Sequence, residues 1–233
     1  MKFHAVLVSL GLVAIFGARE VAAQDSPLSD RDGNGVVQLL AFGDSITYGV
    51  GDDIPPGDYV YEITDSGPPR GYPSRLSTSL STPVINAGVP GERLIAQGAY
   101  RLPKLLNEES FDTVIIMEGS NDAIFQEDSG AYSRSLQKMI NVARASGKGV
   151  VLMTVLLPIG IHQSLQPFTD AYSQEVRELA LLNNLPLIDM ESSFIAACPE
   201  YATCALYNLP EGLHPNVSGY DTVASTVLAG LQR

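Results

Sequence analysis

The sequence predicts an α/β fold in which helices cover both faces of a parallel β-sheet. Five short segments are continuously apolar, and amphipathic helical patterns alternate with them along the chain. Strands buried on both faces have this continuous apolar character, and their alternation with helices is typical of parallel sheets. The chain has 233 residues, of which 45% are hydrophobic and 17% charged, and these values exclude a disordered chain and a coiled coil.

The predicted strands are rich in aliphatic residues. They are Val36–Phe42, Pro83–Asn86, Thr113–Met117, Gly149–Thr154 and Leu187–Asp189. A glycine follows each of the first three strands within two residues, as expected where a buried strand ends in a turn. The binding site of such a sheet lies at the carboxyl ends of its strands, so the residues that follow each strand are the candidates for chemistry.

Four helical patterns lie between or after these strands. Apolar residues recur every three or four positions, as on the buried face of an amphipathic helix, in Arg93–Asn107, Ala131–Ala145, Phe168–Asn184 and Val217–Leu231. Gly147 follows the second pattern and is expected to cap the C-terminus of that helix. No repeat or linker divides the chain, so we predict one domain over residues 36–233.

The first 23 residues have the pattern of a cleaved secretory signal peptide. Lys2 precedes the apolar run Ala5–Phe16, and a Val-Ala-Ala tripeptide provides the small residues expected before a cleavage site. The run is shorter than the roughly 20 apolar residues that span a bilayer, although an uncleaved anchor is the alternative. Residues 24–35 are polar and rich in Gly and Asp, so we expect a flexible lead-in there. The predicted location is secreted or periplasmic.

The charge of the chain limits its partners. Fourteen basic and 26 acidic residues give a formal net charge of −12. Nucleic acids and anionic membranes bind basic surfaces, so we expect neither a nucleic-acid partner nor a stable insertion into a membrane.

Cys198 and Cys204 are the only cysteines of the sequence. An even pair in an exported chain favours a disulfide, which would close one short loop and contribute about 2.4 kcal/mol in the chain-entropy treatment. Two buried free thiols are the alternative. A zinc site is disfavoured because no nearby pair of histidines would complete its ligands, and we expect neither a metal nor a cofactor.

Four short blocks of distinctive residues follow predicted strands or lie near the C-terminus. They are Gly43–Gly49 (GDSITYG), Asn86–Gly91 (NAGVPG), Glu118–Asp122 (EGSND) and Pro210–Asn216 (PEGLHPN). Each block alone has an ordinary explanation as a turn or a helix cap. Together and in this order they resemble the GDSL esterase/lipase family, also called SGNH hydrolases, and the resemblance extends over most of the chain.

The resemblance implies a role for one residue in each block. Ser45 matches the nucleophile, Asn121 the side-chain donor of the oxyanion hole and His214 the general base. Gly88 matches a backbone donor of the oxyanion hole, to which the N–H of Ser45 also belongs. The resemblance further implies a flavodoxin-like, three-layer α/β/α sandwich, in agreement with five strands, and an esterase that needs no cofactor.

The residue types suit this chemistry. A serine hydroxyl is a poor nucleophile at neutral pH unless a base accepts its proton, and histidine is well suited to that task. Amide and backbone N–H groups can stabilise the oxyanion of a tetrahedral intermediate. Structural alternatives remain, with Ser45 or Asn121 as a helix cap and Gly88 as a turn residue. His162 lies in a loop outside every block, and we expect it at the surface or at a cleft rim.

One block departs from the family pattern. The family usually has Asp three residues before the histidine, whereas this chain has Glu211 before His214. That acid accepts the Nδ1–H of the histidine and stabilises the imidazolium. We predict that Glu211 does so in full, because the charge and the place in the loop are kept. The alternatives are a weakened Ser–His dyad and a backbone carbonyl that orients the histidine instead.

Two loops and one sequence motif also bear on function. Residues 51–70 are acidic, rich in Pro and Gly and too long for an ordinary link, so we expect them to overhang the site. Residues 156–167 leave the fourth strand at the same edge. Asn216 begins a formal glycosylation motif, but its place at the start of the last helix favours a helix cap.

The sequence therefore predicts an exported serine esterase that acts through an acyl-enzyme on small acyl esters or acetylated carbohydrates. An acidic rim favours neutral esters over substrates with anionic leaving groups. The alternatives are a lysophospholipase or thioesterase of the same family, and a non-catalytic protein that binds glycan or lipid on the same fold.

Overall fold

A computed structural model describes residues 26–53 and 71–233, so the predicted signal peptide and most of the 51–70 loop lie outside the described residues. The described chain contains a five-stranded, fully parallel sheet with the strand order β2-β1-β3-β4-β5. The strands are β1 (Leu39–Gly43), β2 (Val84–Gly88), β3 (Thr113–Met117), β4 (Gly149–Met153) and β5 (Leu187–Ile188). This is the strand order of flavodoxin-like folds, so the predicted fold class is confirmed.

Helices cover both faces of the sheet. They are α1 (Ser45–Tyr48), α2 (Gly71–Leu80), α3 (Ala99–Glu108), α4 (Ser120–Ile124), α5 (Ser129–Ala145), α6 (Gln166–Leu182), α7 (Met190–Ala197) and α8 (Val217–Leu231). Leu39 and Ala41 of β1 belong to the core under α2, α7 and α8, whereas Leu40 and Phe42 belong to the core under α3, α5 and α6. Successive strand residues point to opposite faces, and since both faces of β1 are buried all of its positions are apolar or glycine.

Most predicted elements are present, with shifted ends. The strand predicted from Val36 begins at Leu39, because the N–H of Gln38 bonds to the carboxylate of Asp112 at 2.8 Å instead of to a neighbouring strand. The last helix has the predicted bounds. Gly147 follows α5 with φ +75°, the left-handed conformation expected of a glycine after a helix.

Three helical segments differ from the prediction. The pattern at Arg93–Asn107 divides into a π-helical turn, Leu94–Gly98, and α3. The helices α2 and α7 were not predicted. The sequence of α2 is rich in Ser and Thr and contains few strong helix formers, so its intrinsic helix propensity is weak. Packing against α8 stabilises the helix instead.

The segment predicted as a flexible lead-in contacts the sheet from Pro27 onward. The carboxylate of Asp30 accepts the N–H groups of residues 33–35, and the carbonyl of Pro27 accepts the hydroxyl of Thr113 at 2.8 Å. Leu28 packs on the core. The described part of the segment thus contacts the folded core, and its flexibility stays a prediction.

Candidate active site

The carboxyl ends of three strands lie side by side. Gly43 at the end of β1 is paired with Gly88 of β2 on one side and with Met117 of β3 on the other. The first three blocks therefore begin at one edge of the sheet. From β1 the chain adds β2 on one side and β3 on the other, so the direction of strand addition reverses between β1 and β3. Flavodoxin-like folds bind their ligands at such a switch point.

Ser45 is the first residue of α1, directly after β1. The helix cap is Asp44, whose side chain accepts the N–H of Ile46 at 2.9 Å, so the alternative of Ser45 as the cap does not hold. The serine side chain is left available for another contact.

A continuous series of contacts joins Ser45 to Glu211. Nε2 of His214 lies 2.9 Å from Oγ of Ser45, and Nδ1 of the same ring lies 2.9 Å from Oε1 of Glu211. Oε2 of Glu211 accepts the backbone N–H groups of Leu213 and His214, each at 2.9 Å. The structure thus brings together three of the predicted site residues, and the longer acid still reaches the histidine.

The environment of Glu211 keeps it ionised. Burial would raise its pKa, but the hydrogen bond with His214, the charge of that ring and the two backbone N–H groups outweigh burial and lower the pKa below its usual value. An ionised carboxylate accepts a proton-bearing Nδ1, which leaves Nε2 of His214 able to accept the hydroxyl proton of Ser45.

Gly88 lies where β2 approaches α1. Its N–H donates to Oδ1 of Asn86 at 3.0 Å, and Nδ2 of Asn86 donates to the carbonyl of Tyr48 at 3.1 Å. A β-carbon on Gly88 would overlap the backbone nitrogen of Tyr48. The close approach of helix to strand therefore requires glycine here.

Asn121 lies within α4, whose cap is Gly119, so Asn121 is not a cap. Its Nδ2 donates to the carbonyl of Glu92 at 2.9 Å, and this contact uses one of the two N–H bonds of the amide. The structure thus places the amide beside the second block.

Asp122 is a residue of this site to which the sequence analysis assigned no catalytic role. Its Oδ2 accepts the N–H of Leu94 at 2.9 Å and its Oδ1 accepts the N–H of Ile95 at 3.1 Å, so it caps the π-helical turn that follows the second block. Together with the Asn121 contact, it links the second and third blocks. Its place beside Asn121 in the EGSND block is the signal that could have revealed it.

A cluster of buried acids lies next to these blocks. Glu118 is 2% exposed, and neither of its carboxylate oxygens has a hydrogen-bond partner among the described residues. Burial first, and then the carboxylates of Asp44, Glu92 and Asp122, raise the pKa of Glu118 well above its usual value. Burial also raises the pKa of Asp44 to about 6. Glu92 forms an ion pair with Arg101.

One group of acids in the described part of the chain has the spacing of a metal site. Oxygens of Asp30, Asp32 and Asp112 lie within 4.8 Å of one another. The buried Asp112 already accepts the N–H groups of Arg31, Asp32 and Gln38. Because Asp112 precedes β3, this group lies at the amino edge of the sheet, opposite the candidate active site.

Two other predictions concern the segment around the fourth block. Cys198 and Cys204 are joined as a disulfide, with their Cα atoms 5.3 Å apart. Asn216 is 1% exposed and caps α8 by accepting the N–H of Gly219, and its Nδ2 donates to two backbone carbonyls. A glycan on Nδ2 would disrupt these two bonds of a buried side chain, so the structure agrees with the capping interpretation.

Within the described residues no helix is both long enough and apolar enough to cross a membrane.

A hydroxyl, an imidazole and a carboxylate in series, at the carboxyl edge of a parallel sheet, are the arrangement of serine hydrolases. The sequence matches the GDSL-like Lipase/Acylhydrolase family over residues 41–222, and the chain belongs to this family. It is a carboxylic ester hydrolase.

Similar proteins are esterases. The chain is 26% identical to an arylesterase of Vibrio mimicus over 190 residues, which cover 82% of this chain and 86% of that protein. It is 34% identical to Esterase TesA of Pseudomonas aeruginosa over 120 residues, which cover 52% of this chain and 55% of that protein. An acetylxylan esterase of Geobacillus stearothermophilus shares the fold with a TM-score of 0.65 and 24% identity, over 84% of this chain and 94% of its own.

Proposed function

We propose that the protein is an exported serine esterase that hydrolyses small acyl esters or acetylated carbohydrates through an acyl-enzyme. The observation that carries the proposal is the series from Glu211 through His214 to Ser45, with both ring nitrogens of the histidine 2.9 Å from their partners. This arrangement activates a hydroxyl that would otherwise be a weak nucleophile.

In the first step, Oγ of Ser45 attacks the carbonyl carbon of the ester, and its proton moves to Nε2 of His214. The carbonyl oxygen becomes an oxyanion, for which the N–H groups of Ser45 and Gly88 and the amide of Asn121 are the proposed donors. When the intermediate collapses, the bond to the alcohol breaks and the alcohol oxygen takes the proton from Nε2. The acyl group remains on Ser45.

In the second step, a water molecule replaces the alcohol. Nε2 of His214 accepts a proton from water, whose oxygen attacks the acyl carbon, and the same nitrogen then returns the proton to Oγ of Ser45 as the acid is released. Throughout, the carboxylate of Glu211 stabilises the imidazolium that forms at His214.

The N–H of Gly88 has a competing acceptor. Because it donates to Oδ1 of Asn86 at 3.0 Å, an oxyanion at this position has to share or replace that bond. Asn121 has no such conflict, since its contact with Glu92 uses only one of its two N–H bonds. We therefore assign the larger share of oxyanion stabilisation to Asn121.

Two observations support neutral esters as substrates. The net charge of −12 disfavours substrates with anionic leaving groups. The acetylxylan esterase with the same fold acts on an acetylated polysaccharide, and the arylesterase relative makes small aromatic esters a second class to test. A lysophospholipase or thioesterase activity is the alternative within the family.

Export is proposed on the sequence of residues 1–23, which has the order of a signal peptide. The disulfide between Cys198 and Cys204 supports a secreted or periplasmic location, because disulfides persist in oxidising compartments. Detection of the processed N-terminus by mass spectrometry of the expressed protein tests this part of the proposal.

A phosphonate probe tests the nucleophile directly. The wild-type protein should be labelled on Ser45, and Ser45→Ala should lose both the label and ester hydrolysis while its circular dichroism is unchanged. The exposed Ser164, changed to Ala, is the matched control and should retain both. An unlabelled but folded wild-type protein would instead identify a non-catalytic binding protein.

A substrate panel then defines specificity. It comprises p-nitrophenyl esters of increasing acyl length, a lysophospholipid, an acyl thioester and acetylated xylan. We expect the highest kcat/KM for short acyl esters or for release of acetate from xylan. A preference for long-chain lysophospholipid or for the thioester would overturn the proposed substrate class but not the nucleophile.

A further inference from the structure

The segment after β4 lies alongside the segment that carries Glu211. The N–H of Ile159 donates to the carbonyl of Gly212 at 2.8 Å, and the N–H of Ile161 donates to the carbonyl of Pro210 at 2.9 Å. Two backbone hydrogen bonds therefore flank Glu211, one on each side. The 3-10 helix Gly160–Leu165 begins at this contact.

Two glycines make the contact possible. Gly160 has φ +58° and Gly212 has φ +74°, so both adopt the left-handed region that favours glycine. A β-carbon on Gly160 would overlap the carbonyl oxygen of Pro210, and one on Gly212 would overlap that of Ile159. The two segments are thus in direct backbone contact beside the proposed acid.

His162 adds a side-chain contact to Glu211 itself. Its Nδ1 lies 2.8 Å from the carbonyl oxygen of Glu211 and 3.6 Å from Oε1 of the same residue. A carbonyl oxygen can only accept, so Nδ1 of His162 carries the hydrogen in either protonation state of the ring. Oε1 is the atom that also receives Nδ1 of His214 at 2.9 Å, so both histidines approach the same carboxylate oxygen.

We propose that His162 is a positioning residue for Glu211, which it holds in place through the bond to its carbonyl so that the carboxylate reaches His214. The inference rests on the proposed function, in which Glu211 orients the base. Glutamate has one more rotatable bond than the aspartate usual at this position, so its carboxylate is less fixed by its own backbone. A fixed peptide group at Glu211 compensates in part for the additional conformational freedom of the side chain.

The position of His162 fits this positioning role better than the role of a catalytic base. The hydroxyl of Ser45 is already in contact with His214, and the side chain of His162 is directed to Glu211. Both side chains are largely covered, with 27% of His162 and 15% of Glu211 exposed, so solvent weakens the bond less than at an open surface.

Replacement of the donor tests the proposal. His162→Leu removes Nδ1–H, and we expect kcat on a short acyl ester to fall by about fivefold to tenfold, the usual worth of one hydrogen bond, with KM changed by less than about twofold. His162→Asn places an amide N–H near the position of Nδ1 and should restore kcat to within about threefold of wild type. Gln163→Ala, an exposed residue of the same 3-10 helix, is the control and should match the wild type.

A double-mutant cycle separates positioning from general support of the fold. In a Glu211→Ala background, His162→Leu should change kcat by less than about twofold, because the carboxylate that it positions is absent. If His162→Leu does not fold, His162→Phe, whose ring has no donor, replaces it as the variant without the hydrogen bond. Thermal unfolding of every variant is measured alongside.

Three results would overturn the inference. They are wild-type kcat in the variant without the donor, an equal loss of kcat in both backgrounds, and a change confined to KM. Failure of the proposed function is distinct, because it would be seen as a wild-type protein without ester hydrolysis and without a phosphonate label on Ser45.

Discussion

At the scale of single residues, Glu211 uses its two carboxylate oxygens for different tasks. Oε1 contacts Nδ1 of His214, while Oε2 accepts the N–H groups of Leu213 and His214. All of these partners within the described residues are donors. The side chain therefore orients the ring and fixes the turn that carries the ring.

This division predicts the effect of Glu211→Gln. An amide can direct its one oxygen to the ring or to the backbone N–H groups but not to both, so kcat should fall by up to ~10⁴, as when a triad acid is made neutral. Glu211→Ala should lower kcat less than His214→Ala does, since water can partly replace an orienting group but not the base. Glu211→Asp should retain activity, because it keeps the charge.

The measurement is kcat/KM on one short ester for these four variants, with folding checked by circular dichroism. Wild-type activity in Glu211→Ala would show that a group other than Glu211 orients His214 and that the enzyme works as a dyad.

Asn121 makes one structural contact and has one further N–H bond for the proposed oxyanion. Asn121→Ala should lower kcat by about 10²–10³ with little change in KM, because the amide acts on charge that develops in the transition state. Asn121→Asp should be worse, since a carboxylate repels that charge. Thermal unfolding separates the loss of the Glu92 contact from the loss of catalysis, and equal kcat in the two variants would contradict the oxyanion role.

At the scale of elements, the contact between α1 and β2 positions the nucleophile. The helix is four residues long and begins at Ser45, so its orientation depends on what it packs against rather than on its own length. On one side lies Gly88, where a side chain would overlap the backbone of Tyr48. Gly88 is therefore needed for packing as well as for its proposed N–H donor.

Gly88→Ala should both destabilise the protein and lower its kcat. Overpacking of this kind typically lowers the free energy of unfolding by about 1–3 kcal/mol, and displacement of α1 moves Oγ of Ser45 away from Nε2 of His214. Gly91→Ala is the comparison, since its φ of +80° disfavours alanine but a β-carbon there would meet nothing within 4 Å. Urea unfolding and kcat are measured for both, and a similar kcat in both would argue against displacement of the nucleophile.

At the scale of the whole molecule, buried acids next to the site make stability depend on pH. Glu118 holds its proton well above the usual pKa, because burial and the neighbouring carboxylates disfavour its charge. In the unfolded chain the same group ionises near pH 4.5. The folded state thus binds more protons above that pH, and the free energy of unfolding falls as the pH rises.

Glu118→Gln should remove this dependence. The amide cannot ionise, and its N–H bonds can donate to neighbouring carboxylates such as Asp44, so the unfolding midpoint should rise most at pH 8 and least at pH 5. Urea unfolding at both values provides the measurement. The exposed Glu178, changed to Gln, is the control and should leave the pH dependence unchanged. An equal shift at both pH values would mean that Glu118 does not titrate in the folded protein as its burial implies.

The strands could be predicted from the sequence because their signal is local, whereas the main site residues were predicted from the order of four blocks that together resemble a known family. An apolar run such as Thr113–Met117 is buried on both faces wherever it lies in the sheet, and its predicted bounds agree with the structure. Ser45, Gly88, Asn121 and His214 stand in blocks of distinctive composition. The helix α2 was missed because its residues have weak helix propensity and packing stabilises it.

The sequence by itself thus determined the parallel α/β fold class and the family, and it supplied the residues proposed for the site. Only the tertiary structure decided how those residues are supported. Asp122 reaches the π-helical turn 28 residues earlier, and His162 reaches Glu211 across 49 residues of sequence. Local patterns report which face of an element is buried, whereas contacts over such separations exist only after the sheet has brought the carboxyl ends of its strands together.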